Sequence, residues 1–383
     1  MILLTPGPLT TRLSTRQAML ADWGSRDGAF AALTANLRDR LVQIVHGEKT
    51  HVAVPIQGSG TFAVEAALQT LLGANDKLLV LANGVYGERM ASIAHRLGRK
   101  VEIRRWPQSS PVDAQEVKAI LARDAAITHV GLVHCETTTG LLNPLAQVAQ
   151  IVAEAKRHLI LDAMSSFGAI DIDVRKPPIC AVLSSSNKCL ESVPGIAFAV
   201  VDKELLSLSS ANSSSTSLDL HLQWQEFERS GQWRFTPPVQ VVAATVEALE
   251  ALDREGGPQA RLARYRDNLS TLLAGMRALG FRPYLEDCIQ SPIIATFRSP
   301  EFWPLHDRVF RFNDFYSAVA KGGFLLYPGK LTGEDTFRIG CIGNVAKADF
   351  EELLHVIADV LGRPYATEGL ADRTGSGDQA GGG

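Results

Sequence analysis

The sequence predicts an α/β fold: a mainly parallel sheet sandwiched by helices, followed by a smaller α+β domain towards the C-terminus. Three observations lead there. Apolar runs rich in Val, Ile and Leu, such as residues 77–82, 129–135 and 158–164, alternate with helical patterns through the first half of the chain. Those runs are too continuously apolar for strands with one wet face, and the helices between them supply the crossovers that parallel pairing requires. The alternation then breaks at Trp233-Arg234-Phe235-Thr236-Pro237-Pro238, beyond which two long helical segments precede shorter strands.

At 383 residues, 46% hydrophobic and with a formal charge of −3, the chain is long enough for two domains and too neutral to suggest nucleic acid. No basic stretch leads into a long apolar run, and no segment approaches membrane-spanning length, which predicts a cytoplasmic protein with no membrane partner. The five cysteines are scattered and form no Cys-x-x-Cys pair, so neither a disulfide framework nor a metal site is expected.

Taken in order, Gly7 and Pro8 make an irregular arm, residues 23–27 a polar loop carrying Trp23, and residues 30–45 a helix. Gln57-Gly58-Ser59-Gly60-Thr61 then opens a helix over 62–72 that Gly73 closes. Strands at 77–82 and 100–106 flank a helix over 86–97, and a helix over 112–123 leads into the strand 129–135. Pro144 starts the next helix, and the strand 158–164 carries Asp162. An apolar strand from Cys180 runs out into Ser184-Ser185-Ser186-Asn187-Lys188-Cys189, and residues 195–201 form another buried strand. The serine-rich stretch 207–217 reads as a mobile surface loop. In the second domain, helices at 239–253, 259–279, 313–321 and 347–361 interleave with strands at 292–297, 324–327 and 336–339. These limits give a large domain over 15–235, a small one from 1–14 and 236–364, and a disordered tail over 365–383.

Three positions carry chemistry. Lys188 follows the end of one buried strand and Asp162 closes another, which brings both to the same rim of a parallel sheet, where ligands bind. A lysine there reads either as an exposed loop amine or as a desolvated one able to form a Schiff base with an aldehyde cofactor. Asp162 is equally a turn cap or a carboxylate beside a pyridine nitrogen. Ser59, Gly60 and Thr61 begin a helix whose free N–H groups and positive dipole end suit a phosphate, although an ordinary capped helix has the same look. Arg338, between Phe337 and Ile339, needs an anionic partner if it points inward.

With these residues in view, the chain resembles the fold-type I pyridoxal-phosphate aminotransferases of class V, a group that includes alanine–glyoxylate and phosphoserine aminotransferases. The motifs are Leu3-Leu4-Thr5-Pro6-Gly7-Pro8, Gln57-Gly58-Ser59-Gly60, Asn83-Gly84-Val85-Tyr86-Gly87, His134-Cys135-Glu136-Thr137-Thr138-Thr139-Gly140, Asp162-Ala163-Met164-Ser165-Ser166-Phe167-Gly168, Asn187-Lys188-Cys189, Trp233-Arg234-Phe235-Thr236, Tyr327-Pro328-Gly329-Lys330 and Phe337-Arg338-Ile339-Gly340. They span residues 2–363 in family order. The resemblance implies pyridoxal 5′-phosphate as cofactor, Lys188 as Schiff-base lysine and proton shuttle, and Asp162 as partner of the pyridinium. It implies Tyr86 stacked on the ring, Thr138 near the ring hydroxyl, and Ser59, Gly60, Thr61 and Ser186 on the phosphate, joined by Thr236 from the second subunit of a homodimer. Arg338 would hold the carboxylate of pyruvate and, in the other half reaction, the phosphonate of 2-aminoethylphosphonate, since Asn187 before the lysine, where many relatives have histidine, fits the phosphonate branch. Other class V aminotransferases of the alanine or serine–glyoxylate kind share every cofactor residue. A cysteine desulfurase would need a cysteine in a mobile loop, and a dinucleotide-binding fold would need a third glycine after Gly58-Ser59-Gly60.

Overall fold

The computed structural model describes residues 1–303, 308–329, 331, 334–363 and 365. Apart from Tyr365, the expected disordered tail lies outside these residues, as does Lys330 of the quoted motif.

The first long helix, α1 (Gly28–Ile44), begins because the Asp27 carboxylate accepts the Ala29 N–H at 2.8 Å, and it turns Phe30, Leu37 and Leu41 inward. There follow β1 (His51–Gly58), α2 (Gly60–Leu71), β2 (Lys77–Ala82), α3 (Val85–Arg96), β3 (Lys100–Arg105), α4 (Ala114–Arg123), β4 (Ile127–Val133), α5 (Leu145–Glu154), β5 (His158–Asp162), β6 (Ala181–Ser185) and β7 (Gly195–Asp202). These strands form one seven-stranded sheet in the order β1-β7-β6-β5-β4-β2-β3. The pairs β3–β2, β2–β4, β4–β5 and β5–β6 are parallel. β7 runs antiparallel to both its neighbours, so residues 186–194 form a tight connection between two core strands rather than a crossover. Val80, Leu132, Ile160, Val182 and Phe198 are wholly buried at the centre of the sheet. Each such side chain contributes about 1.5–3 kcal/mol relative to exposure.

The helices α6 (Leu220–Ser230), α7 (Val239–Glu255) and α8 (Gly257–Ala278) come next. Although the sequence reading assigns it to the second domain, α7 buries Val242, Val246, Leu249 and Leu252 in the core of the large sheet. The second sheet orders β8 (Arg282–Pro283), β9 (Ile294–Arg298), β11 (Thr336–Gly340) and β10 (Tyr327–Pro328), with α9 (Phe312–Lys321) and α10 (Lys347–Leu361) against it. The chain start returns here: Ile2–Leu3 pairs in parallel with Phe324–Leu325, and Leu4 lies in the second core. Alternation along β11 sends Phe337 into an aromatic cluster with Phe281, Phe297 and Phe312, at ring separations of 5.5–5.7 Å, and sends Arg338 to the opposite face.

The serine-rich stretch differs from the expected mobile loop. Its residue Asn212 donates to the Thr70 carbonyl at 3.0 Å and accepts from Arg99 at 2.6 Å, which pins the loop to the end of α2.

Candidate active site

A cavity of about 170 Å³ opens where β5 and β6 end and α2 and α3 begin. Its lining includes Ser59, Gly60, Thr61, Tyr86, Asp162 and Lys188, which the sequence singles out, together with Val64, Arg89, Met90, Met164, Ser185 and Asn187.

The cradle follows from local backbone chemistry. Gly58 has φ +139°, a value that favours glycine, and Ser59 caps α2 without using its hydroxyl on the helix. The first N–H groups of α2 thus face the cavity beside the hydroxyls of Ser59 and Thr61, with the positive end of the helix dipole behind them. At Gly60 a Cβ would come within 2.5 Å of Met164 Sδ, so the wall closes on a bare backbone. A cation completes this end: Arg89 Nη1 lies 3.4 Å from the Thr61 hydroxyl, and its guanidinium sits 5.0 Å from the centroid of the Tyr86 ring. Arg89 lies one helical turn beyond Tyr86 on α3, and this i, i+3 spacing from a ring-stacking candidate is the sequence signal that would have found it.

Asp162 is buried at the end of β5, and one carboxylate oxygen accepts the Met164 N–H at 3.0 Å. Burial raises its pKa to about 6, against the opposing pull of that hydrogen bond and of the Lys188 and Arg89 charges. Lys188 is half-buried in the connection after β6. Desolvation holds its amine below the usual lysine range, with Asp162 the main influence in the other direction.

The remaining residues singled out by the sequence lie off the cavity wall. Ser186 is fully buried and its hydroxyl donates to the Val193 carbonyl at 2.6 Å, whereas Ser185 lies on the wall. Thr138 is also fully buried and donates its hydroxyl to Glu136. Glu136 accepts the Tyr86 N–H at 3.2 Å as well, so the pair supports the start of α3 from behind. Thr236 is exposed and outside this cavity, as is the neighbouring Phe235.

Arg338 comes from the second sheet. It is fully buried, donates to the Pro328 carbonyl from Nε and Nη2 at 3.0 and 2.9 Å, and to the Thr137 carbonyl from Nη1 at 2.9 Å. The Tyr327 ring lies 4.8 Å beneath it. Among the described residues no carboxylate pairs with it, so the buried guanidinium is held only by backbone carbonyls and a ring face. No group of side chains among the described residues could hold a metal ion.

The family described as Aminotransferase class-V matches residues 21–298. A 2-aminoethylphosphonate–pyruvate transaminase of Pseudomonas putida is 50% identical over 360 residues, covering 94% of this chain and 96% of that protein. The 2-aminoethylphosphonate–pyruvate transaminase 2 of Burkholderia lata is 52% identical, with 94% of each covered. Among solved structures, pyridoxamine–pyruvate aminotransferase from Mesorhizobium loti superposes with a TM-score of 0.85 at 24% identity, over 95% of this chain and 93% of that one. Alanine–glyoxylate aminotransferase from Nostoc sp. gives 0.85 at 24% identity, over 94% and 95%.

Proposed function

Since the chain belongs to the class-V aminotransferases, we propose that it moves the amino group of 2-aminoethylphosphonate to pyruvate, giving phosphonoacetaldehyde and L-alanine. The observation that carries the catalytic reading is the single cavity joining Lys188, Asp162 and the start of α2. The two substrates come from the relatives that share half of its residues.

The family works with pyridoxal 5′-phosphate, and the cavity fits that group: a bare helix N-terminus, a cradle that Gly60 keeps open, a buried carboxylate and an amine meet in one space. When bound, the cofactor supplies an electron sink for charge developing on the substrate carbon. Ser59, Gly60, Thr61, Arg89 and Ser185 would hold its phosphate, Tyr86 its ring face, Asp162 its ring nitrogen and Lys188 its aldehyde carbon. Asp162, raised to about 6 by burial, is mostly ionised above that pH and is drawn further down by a cation beside it. Lys188 would serve as the base that takes the proton from the substrate carbon and gives it back. Desolvation favours the neutral amine that this task requires. Arg338 pairs with the pyruvate carboxylate and, in the donor half reaction, with the phosphonate.

The working unit is a cytoplasmic homodimer in which Thr236 of a second copy reaches the phosphate. Phe62, on the first turn of α2, and Phe235, beside Thr236, are 47% and 50% exposed, apolar area that a second copy would cover. Among the described residues no helix is long and apolar enough to cross a membrane.

A donor screen tests the reading. Purified enzyme given pyruvate and 2-aminoethylphosphonate should form alanine and phosphonoacetaldehyde in equal amounts. Alanine formed only from another donor, such as serine, would sink the substrate assignment and leave the cofactor residues standing.

A further inference from the structure

Behind the cavity, the connection that carries Lys188 is gripped by a buried ionic cluster from α7 and α8. Glu191 donates its N–H to the Lys188 carbonyl at 2.8 Å and sits at φ +61°, a left-handed conformation that side chains other than glycine rarely adopt. Its carboxylate, 2% exposed, accepts from Tyr265 Oη at 2.6 Å and Arg264 Nη2 at 2.7 Å. Arg261, wholly buried, donates to the Cys189 carbonyl at 2.8 Å and is neutralised by Glu255 at 2.9 Å and by Glu191 at 3.7 Å. Arg264 also donates to the carbonyls of Gly343 and Val345, at 2.6 and 2.8 Å, just beyond the strand that carries Arg338. The cluster therefore binds the backbone just after the lysine, at the Cys189 carbonyl and at Glu191, and reaches the segment that follows Arg338.

We propose that Glu191 is a positioning residue for Lys188: its carboxylate, locked by Tyr265, Arg261 and Arg264, fixes the turn so that the lysine amine points into the cavity. A buried ion cluster is costly to desolvate and is weak evidence of stabilisation, whereas a strained backbone held by three partners beside the reactive amine is what a positioning role requires. The proposal rests on Lys188 being the amine that engages the cofactor.

Two variants of the full-length protein separate geometry from stability. Glu191→Gly keeps the left-handed turn and removes the carboxylate, while Glu191→Gln keeps the shape and an acceptor for Tyr265. Apoprotein is mixed with pyridoxal phosphate, quenched with borohydride at intervals, and the label located by peptide mass, with rates expressed per labelled site. Glu191→Gly should capture the cofactor at Lys188 about tenfold more slowly and lose kcat in step, with KM for pyruvate unchanged and Glu191→Gln restoring most of the rate. A residue that merely stabilises the fold would lower the labelled fraction and leave the rate per site at the parent value, and that result overturns the proposal. If Glu191→Gly yields no folded protein, Tyr265→Phe is read in the same way, with an unchanged rate per site counting against it. Label on another lysine in the parent protein would instead sink the assignment of Lys188 itself.

Discussion

Asp162 and Lys188 face one cavity from the end of β5 and the connection after β6, and each moderates what burial does to the other. Burial raises the Asp162 carboxyl and the lysine charge pulls it back; burial lowers the Lys188 amine and the aspartate pulls it up. Burial wins at both, leaving Asp162 at about 6.

That value gives a stability prediction for the apoprotein. A carboxyl raised from 3.8 to about 6 contributes stability that is complete below the lower value and lost as pH rises through the higher one. Asp162→Asn removes the dependence. At pH near 8 the apo variant should exceed the parent in urea unfolding by up to about 3 kcal/mol, and the difference should vanish at a pH of about 4. Its transamination should nonetheless fall by about a hundredfold or more, because no acid–base partner faces the ring nitrogen.

Arg338→Gln should raise KM for pyruvate by roughly tenfold to a hundredfold, the value of a charged hydrogen bond. Cofactor affinity, read from visible absorption during dialysis, should hold. The melting temperature should not fall, because the arginine is a buried cation without a carboxylate partner among the described residues.

At Gly60 the obstacle to a side chain is the flexible end of Met164 rather than backbone. Gly60→Ala should change stability by less than about 1 kcal/mol. The displaced thioether moves towards the cradle, so cofactor affinity should drop about tenfold through weakened phosphate hydrogen bonds. Adding Met164→Ala should recover it, measured by equilibrium titration of apoprotein.

Mixed dimers test the shared site. Lys188→Ala and Thr236→Asp chains should each be inactive alone. After subunit exchange, one site of each hybrid has both intact residues, so roughly a quarter of native activity should return when equal amounts mix at random. No recovery, with hybrids demonstrated by native mass spectrometry, would place Thr236 outside its neighbour's site.

Much of this was legible because buried strands announce themselves by apolar runs, and the residue at which a run ends is where a parallel sheet presents its chemistry. Asp162 and Lys188 were found that way. The direction of β7 was not legible, since a strand buried on both faces has the same composition whether parallel or antiparallel. Ser185, which lines the cavity, carries no signal in the sequence that sets it apart from Ser184 and Ser186 beside it. Arg89 is set apart in the sequence only by its i, i+3 spacing from Tyr86. Glu191 and Tyr265 are 74 positions apart, so no local pattern joins them.

Arg338 carries a consequence for turnover. A guanidinium has five N–H donors, and one each from Nε, Nη1 and Nη2 is already committed to a backbone carbonyl. Two remain, enough for a single carboxylate or a single face of a phosphonate. Donor and acceptor therefore cannot be held by it together. If Arg338 is the anion site proposed above, this single docking berth would impose strict alternation on the two half reactions, and each substrate, in excess, should inhibit the other's half.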